Sequence, residues 1–432
     1  MNYEFNAEFA RRLDEQDELK YLRKEFLIPQ HNGQDAIYLC GNSLGLQPRA
    51  AADYLAEQLK VWESKAVEGW FEGDAPWLSY HKQVATLTAP IVGALNSEVA
   101  IMNSLTVNLH LLLVSFYKPN KKRYKILMEA GAFPSDQYAV ESQVKFHGFD
   151  PADAIIEVSP REGEYTLRTE DIILAIEEHK DELALVLFGG INYYTGQFFD
   201  LQAITKAAHQ AGAIAGFDLA HAAGNVPLQL HNWDVDFACW CSYKYMNSGP
   251  GGISGIFVHE KHHGNDKLPR FAGWWGYAEE KRFLMAPGFH AANGAQGWQV
   301  STSPIMLLAL NKASLGIFTR AGGIEPVRKK SIALTAYFEW LIKNINLKHG
   351  EDVFNIITPV DPDARGCQLS LICRHKAREV FNYLTQHGVI GDWREPDVIR
   401  LSAVPLYNTF TDVYNAAVCL YEALNKLKMN NL

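Results

Sequence analysis

Residues 213–255 read AIAGFDLAHAAGNVPLQLHNWDVDFACWCSYKYMNSGPGGISG. Two short apolar runs, Ala213 to Phe217 and Phe237 to Cys241, have the length and continuity of buried parallel strands. The first ends on Asp218, with His221 just beyond it; the second ends on Ser242-Tyr243-Lys244 and a glycine-rich turn, Gly249 to Gly252. A lysine directly after a buried strand is an unusual place for a solvated charge. In open α/β sheets, ligands lie outside the carboxyl ends of the strands. An acid at one such end and a lysine at another are what a pyridoxal phosphate site needs. The lysine carries the cofactor covalently, and the acid keeps the pyridine nitrogen protonated. A surface lysine beside a turn accounts for this stretch equally well.

A chain of 432 residues is long enough for two domains around a large core. Apolar residues make up 48% and charged residues 21%, an ordinary soluble composition. The 40 Lys and Arg against 49 Asp and Glu leave a net charge of −9 without any long basic run, so no nucleic-acid partner is expected. No apolar run approaches the roughly 18 residues of a membrane-spanning helix, so no membrane partner is expected either. The opening MNYEFNAEFARRLDEQDELKYLRKEF lacks the apolar core of a signal peptide, which leaves the cytoplasm as the expected location. Cys40, Cys239, Cys241, Cys367, Cys373 and Cys419 are scattered and form no CxxC pair. They read as buried free thiols, and no metal site is expected.

The rest of the chain surrounds the opening stretch with strand and helix in alternation from about 99 to 260, which argues for a mostly parallel sheet. Residues 4–26 read as an N-terminal helix, and Gly41-Asn42-Ser43-Leu44-Gly45 as a tight turn after a short strand. Gly69 to Trp77 is an aromatic-rich loop, either a substrate wall or a packed plug. Asn103-Ser104-Leu105-Thr106 opens an apolar helix, and its hydroxyls and free N–H groups suit either an anion or a plain cap. Lys125 to Glu129 is a strand followed by Phe133-Pro134-Ser135-Asp136, where Ser135 can cap the next helix and Phe133 can stack on a flat ring. Gly273-Trp274-Trp275-Gly276 is a second aromatic loop. Beyond about residue 322 the pattern becomes that of a small α+β domain. Arg400 lies there on the otherwise apolar strand Val398 to Ser402 and wants a carboxylate partner, internal or from a ligand.

A helix-start hydroxyl, a stacking aromatic, a strand-end acid, a strand-end lysine and a late arginine occur here in the order of the fold-type I pyridoxal phosphate enzymes, the aspartate aminotransferase superfamily. The strings GNSLGLQP, NSLTVNLHLLL, FPSDQYA, YYTGQ, GFDLAHAAGN, DFACWCSYKY, GWWG and IRLSAVPLYN, which together span positions 41 to 408, resemble the kynureninase family. The resemblance implies an α/β large domain of the PLP-dependent transferase type over 46–321 and a small α+β domain over 322–432, with residues 1–45 packing on the latter. It implies hydrolytic cleavage of the Cβ–Cγ bond of L-kynurenine, or of 3-hydroxykynurenine, to anthranilate or 3-hydroxyanthranilate and L-alanine. That reaction belongs to tryptophan catabolism and to the kynurenine pathway towards NAD.

Residue by residue, the resemblance makes Lys244 the carrier of pyridoxal 5'-phosphate and the catalytic base, with Tyr243 as a proton relay that reaches the phosphate. Leu105, Thr106, Phe133, Pro134, Ser135 and Asp136 would hold phosphate and ring, and Asp218 and His221 would contact the pyridine. Trp274 would reach the cofactor of a partner subunit, which implies a homodimer with active sites at the interface. Arg400 would bind the substrate α-carboxylate. Asn42 and Ser43 would also face the substrate, while Trp70 and Thr302 would lie by its aromatic ring, Thr302 touching the cofactor as well. The chain departs from some family members in having Gly189 for serine, and from some, animal forms included, which have asparagine in place of Thr302 and a histidine near the position of Trp70.

A cysteine desulfurase would need a nucleophilic cysteine on a mobile loop, to which Cys367 comes closest. A ligand-binding or regulatory protein on the same fold would not need the intact lysine and acid. A nucleotide-binding fold would need a G-x-G-x-x-G or Walker A motif, and neither occurs.

Overall fold

The computed structural model describes residues 2–429. They divide into two compact units, one of residues 50–191 and 199–316 and one of residues 2–49, 192–198 and 317–429. The short segment 192–198, inside the 46–321 expected from the sequence, thus counts with the second of these.

The first unit is built on a seven-stranded sheet. Its strands are β1 (Val99–Ile101), β2 (Lys125–Glu129), β3 (Ile155–Val158), β4 (Leu183–Gly189), β5 (Ile214–Asp218), β6 (Phe237–Cys241) and β7 (Ser254–Val258). They lie in the order β1-β7-β6-β5-β4-β2-β3. Only β7 runs against its neighbours, returning from β6 as a hairpin with Cys241 opposite Ser254, as the sequence suggested. The strands are continuous apolar runs because both faces are covered. Helices α1 (Trp77–Val92), α2 (Leu105–Phe116), α3 (Pro134–Phe146), α4 (Thr169–Glu178) and α5 (Leu201–Gln210) accompany the sheet. Leu109, Leu112, Leu113 and Phe116 of α2 and Val140 and Val144 of α3 share one buried cluster with Ile126, Leu185, Cys239 and Ile256 of the sheet.

Two glycines allow close packing in this sheet. Gly216 on β5 lies opposite Phe237 on β6, whose ring occupies the space of a side chain at 216; an added Cβ would come within 2.1 Å of it. Gly255 on β7 leaves the same room for the fully buried Trp240.

The second unit carries the antiparallel strands β8 (Phe354–Ile356), β9 (Gln368–Cys373), β10 (Asp392–Arg394) and β11 (Val398–Ser402), in the order β8-β9-β11-β10. Helices α6 (Ile324–His349), α7 (Ala377–Gln386) and α8 (Phe410–Met429) bury one stripe each against it. Leu334, Phe338, Leu341 and Ile345 of α6 recur at helical spacing in its core. Leu369, Leu371, Ile399 and Leu401 face the same core, so strand alternation turns Ser370, Arg400 and Ser402 to the opposite face. The N-terminal helix expected over residues 4–26 is two pieces, Ala7–Gln16 and a 3₁₀ helix Lys20–Glu25. Asp17 accounts for the break, since its carboxylate accepts the Leu19 N–H at 2.9 Å.

Gly216→Ala is expected to lower the melting temperature by several degrees, consistent with an overpacking cost of about 1–3 kcal/mol. Thermal unfolding followed by circular dichroism checks this; an unchanged midpoint would mean that the Phe237 ring moves aside freely.

Candidate active site

Strands β5 and β6 run parallel and side by side, with Asp218 paired in register to Cys239, so their carboxyl ends open on the same edge of the sheet. Asp218 closes β5 and Lys244 follows β6 by a short turn. The two ends bring together the residues that the sequence singled out. Lys244 Nζ lies 3.0 Å from His221 Nε2 and 5.8 Å from the centre of the Phe133 ring. His221 and Asp218 are both buried, whereas Phe133 is 42% exposed.

Asp136 enters the same group from the first turn of α3. Its carboxyl is hydrogen-bonded to that of Asp218, and burial pushes it well above the usual carboxylate range. The Asp218 and Glu129 charges push it further in the same direction, and Lys244 opposes them. Asp218 is also raised by burial, but the Ala220 N–H, donating at 2.7 Å, the bond from Asp136 and Lys244 all favour its ionised form. Two carboxyls buried together cannot both ionise cheaply, and these contacts favour the charge on Asp218 over Asp136. Asp136 Oδ1 is buried without a hydrogen-bond partner.

The hydroxyls of Thr106 and Ser135 meet at 2.6 Å. They bring the first turns of α2 and α3 together, where a helix has free N–H groups and a positive dipole end. Ser135 does not cap its helix as the sequence suggested. Pro134 occupies the first helical position, Phe133 is the residue before it, and Ser135 lies inside the first turn. Ser104 makes no capping bond in front of Leu105 and Thr106 either. Tyr243 OH donates to the Cys241 thiol, and burial pushes the phenol well up.

The aromatic loops form a packed cluster. Trp70 is half-buried, with its ring edge-to-face on Trp77 at 5.5 Å and on Trp275 at 5.6 Å. Trp274 is 45% exposed and donates its indole N–H to the Arg282 carbonyl at 3.2 Å. Thr302 is exposed on the segment leading into the helix Ile305–Arg320. Below Trp275 lies His81, fully buried, with Nδ1 unpartnered. Burial and the neighbouring Lys82 lower its pKa to about 4, with Glu279 opposing and Arg282 assisting.

In the second unit, Asn42 is buried and neither its amide oxygen nor its nitrogen has a hydrogen-bond partner, while Ser43 is exposed. Arg400 is 1% exposed. It donates to Asp392 from Nε at 2.6 Å and from Nη2, and to the Tyr193 carbonyl from Nη1.

Sequence reasoning missed Glu129, which ends β2 as Asp218 ends β5 and carries the same signal, an acid closing an apolar run. Gly189 has a physical reason too, because a Cβ there would come within 2.8 Å of a Glu129 carboxylate oxygen. It also missed the cluster of Glu98, His231 and His259, whose donor atoms are close enough for one cation. The two imidazoles, however, stack 5.0 Å apart with planes 13° from parallel, so their in-plane lone pairs cannot converge on one ion. Glu98 instead accepts the Leu95 and Glu260 N–H groups and lies 2.9 Å from His231 Nδ1.

Residues 327–420 match the family model described as the kynureninase C-terminal domain. Over 415 residues the chain is 55% identical to the kynureninase of Flavobacterium psychrophilum, covering 96% of this chain and 97% of that one. It is also 55% identical over 406 residues to the kynureninase of Stenotrophomonas maltophilia, covering 93% and 95%. The chain belongs to the kynureninase family.

Among solved structures, a cysteine desulfurase from Thermococcus onnurineus is similar at TM-score 0.75 and 16% identity, over 94% of this chain and 98% of that one. That likeness shows the fold alone, the α/β architecture of the fold-type I enzymes with its small α+β partner. Unlike what desulfurase chemistry needs, Cys367 is fully buried here, and burial pushes the Cys40 and Cys241 thiols up to about 11. No helix among the described residues is long and apolar enough to cross a membrane.

His81 sets a pH dependence. Its folded pKa lies below the unfolded value of 6.5, so the unfolded chain binds the proton first and stability falls as the pH drops from about 6.5 to 4. His81→Gln is expected to flatten this slope by about 2 kcal/mol at pH 5. Urea unfolding of both proteins at pH 7 and pH 5 measures it, and identical slopes would contradict the assignment.

Proposed function

We propose that this protein hydrolyses L-kynurenine to anthranilate and L-alanine with pyridoxal 5'-phosphate as cofactor. The observation that carries this reading is the buried Asp136–Asp218 carboxyl pair, with one unpartnered oxygen and Lys244 nearby, in a chain of the kynureninase family. The residues fit the group. The carboxyl pair offers a pyridine nitrogen both a proton and a negative charge, Phe133 offers a ring face, and the paired starts of α2 and α3, with Leu105, Thr106, Pro134 and Ser135, suit a phosphate. When bound, pyridoxal phosphate supplies an electron sink for charge developing on the substrate carbon skeleton.

The chain's own residues do the rest. Lys244 Nζ takes the proton from the substrate Cα. To do so it must be neutral, and His221 at 3.0 Å holds it in place. Tyr243, whose phenol keeps its proton, serves as the relay that hands protons to the product. Water adds to the side-chain ketone, the Cβ–Cγ bond breaks with the acyl half leaving as anthranilate, and the three-carbon half, which keeps the bonding electrons, is protonated at Cβ to give alanine. Arg400 grips the α-carboxylate, and Asn42 turns its two unpartnered atoms to the substrate together with Ser43. Trp70 and Thr302 line the aromatic ring's place and favour kynurenine over 3-hydroxykynurenine, because an indole offers less polar company to a ring hydroxyl than an imidazole does.

Trp274 reaches the cofactor of a partner subunit in a homodimer with active sites at the interface. Phe271, Phe283, Leu284 and Met285, all more than half exposed, support a covered surface around it. The expected domains remain 46–321 for cofactor binding and 322–432 with 1–45 as the small domain. The enzyme works in the cytoplasm, in tryptophan catabolism on the kynurenine route.

Lys244→Ala is expected to abolish both the visible absorption of the lysine-bound cofactor and the release of fluorescent anthranilate; retention of both would refute the reading. Arg400→Lys is expected to raise KM about tenfold or more with a smaller change in kcat, since an ammonium cannot reproduce the fork. The wild-type protein is expected to show higher kcat/KM for kynurenine than for 3-hydroxykynurenine. Equal values would remove the role given to Trp70 and Thr302.

A further inference from the structure

We infer that Asp392 is the positioning residue that fixes the plane of the Arg400 guanidinium, so that an α-carboxylate meets a preformed fork. The inference rests on the role given to Arg400 above. Strands β10 and β11 are antiparallel neighbours, and their register sets Asp392 directly opposite Arg400. Arg400 points to the face of β11 away from Ile399 and Leu401, which face the core. The pair therefore lies on the face of the sheet opposite that core.

Asp392 takes the guanidinium along one edge. Its Oδ2 accepts from Nε at 2.6 Å and from the adjacent Nη2. The Tyr193 carbonyl accepts from Nη1, and that carbonyl is itself fixed by the Gln368 side-chain amide at 3.2 Å. Ser370, the register partner of Arg400 on β9, donates to the next carbonyl, Tyr194, at 2.6 Å. These bonds leave the planar group no rotation about its long axis. A guanidinium gripped along the Nε edge presents its terminal nitrogens end-on, the geometry that a carboxylate fork requires.

Charge points the same way. Arg394 Nε donates to the same Asp392 oxygen at 3.1 Å, so one carboxylate lies between two guanidiniums. Without the Asp392 charge, the buried Arg400 and the nearby Arg394 repel each other, and Arg400 loses both of its bonds along that edge.

The test uses the pyridoxal phosphate-loaded enzyme and the variants Asp392→Asn, Asp392→Glu and Arg400→Gln. L-Alanine, which carries the α-carboxylate, and the decarboxylated analogue of kynurenine, which lacks it, are each titrated against the cofactor spectrum, and kcat and KM are measured for L-kynurenine. For Asp392→Asn, the KM and the L-alanine Kd are expected to rise about tenfold or more. Its kcat is expected to stay within about threefold, and its affinity for the decarboxylated analogue is expected to be unchanged. Asp392→Glu is expected to recover part of the L-alanine affinity, which keeps the test open should the Asn variant fold poorly. If Arg400→Gln loses L-alanine while Asp392→Asn keeps it, the inference is overturned and the role of Arg400 stands. If neither loses it, the role of Arg400 falls and the inference with it. Equal losses for both ligands in Asp392→Asn and Asp392→Glu would mark the pair as merely structural and also overturn it.

Discussion

Two carboxyl groups, Asp136 and Asp218, are buried against each other, and both cannot ionise cheaply. Burial raises both, so the pair calls for positive charge or a further hydrogen-bonding group close by. The nearby Lys244 favours the ionised form of Asp218, and Asp136 Oδ1 is buried without a hydrogen-bond partner. Such an arrangement is expensive in an interior and suits a ligand site.

The sheet makes this arrangement possible. β5 and β6 are parallel and in register, so that Asp218 and the chain leading to Lys244 leave the sheet on the same side. The tight fit of Gly216 against Phe237 and of Gly255 against Trp240 holds those strands close. Two helix starts come in from the neighbouring connections, joined by the Thr106–Ser135 hydroxyl contact. Strand ends and helix starts carry Asp218, Thr106, Ser135 and Asp136, and Lys244 follows β6 by a short turn. In the second unit the same economy recurs on a smaller scale. One face of β11 builds core, and the other holds Arg400 between Asp392 and Tyr193.

Much of this could be read in the sequence where the signal was apolar and continuous. Lys125–Glu129, Phe237–Cys241 and Val398–Ser402 have the ends expected for them, because a strand buried on both faces shows as an unbroken run. Ile155–Val158 escaped notice because it is a short edge strand whose sequence carries an acid, and Asp392–Arg394 because two of its three residues are charged. Charge on a strand reads as solvated until its partner across the sheet is known, and Asp392 was overlooked for that reason. Local helix signals were less reliable. Ser135 looked like a cap, but proline at the first helical position moved the start forward and freed its hydroxyl for Thr106. Glu129 was missed although it closes its strand just as Asp218 does. The expected roles of the remaining residues came from the string resemblance to the kynureninase family, because residues that meet only in the folded chain leave no local pattern.

The central claim is that Lys244 carries the cofactor beside the Asp136–Asp218 pair. The most direct measurement is borohydride reduction of the pyridoxal phosphate-loaded protein followed by peptide mass spectrometry. The account predicts one stoichiometric pyridoxyl adduct, on the peptide containing Lys244. An adduct chiefly on another lysine, or none above that of the unfolded protein, would contradict it.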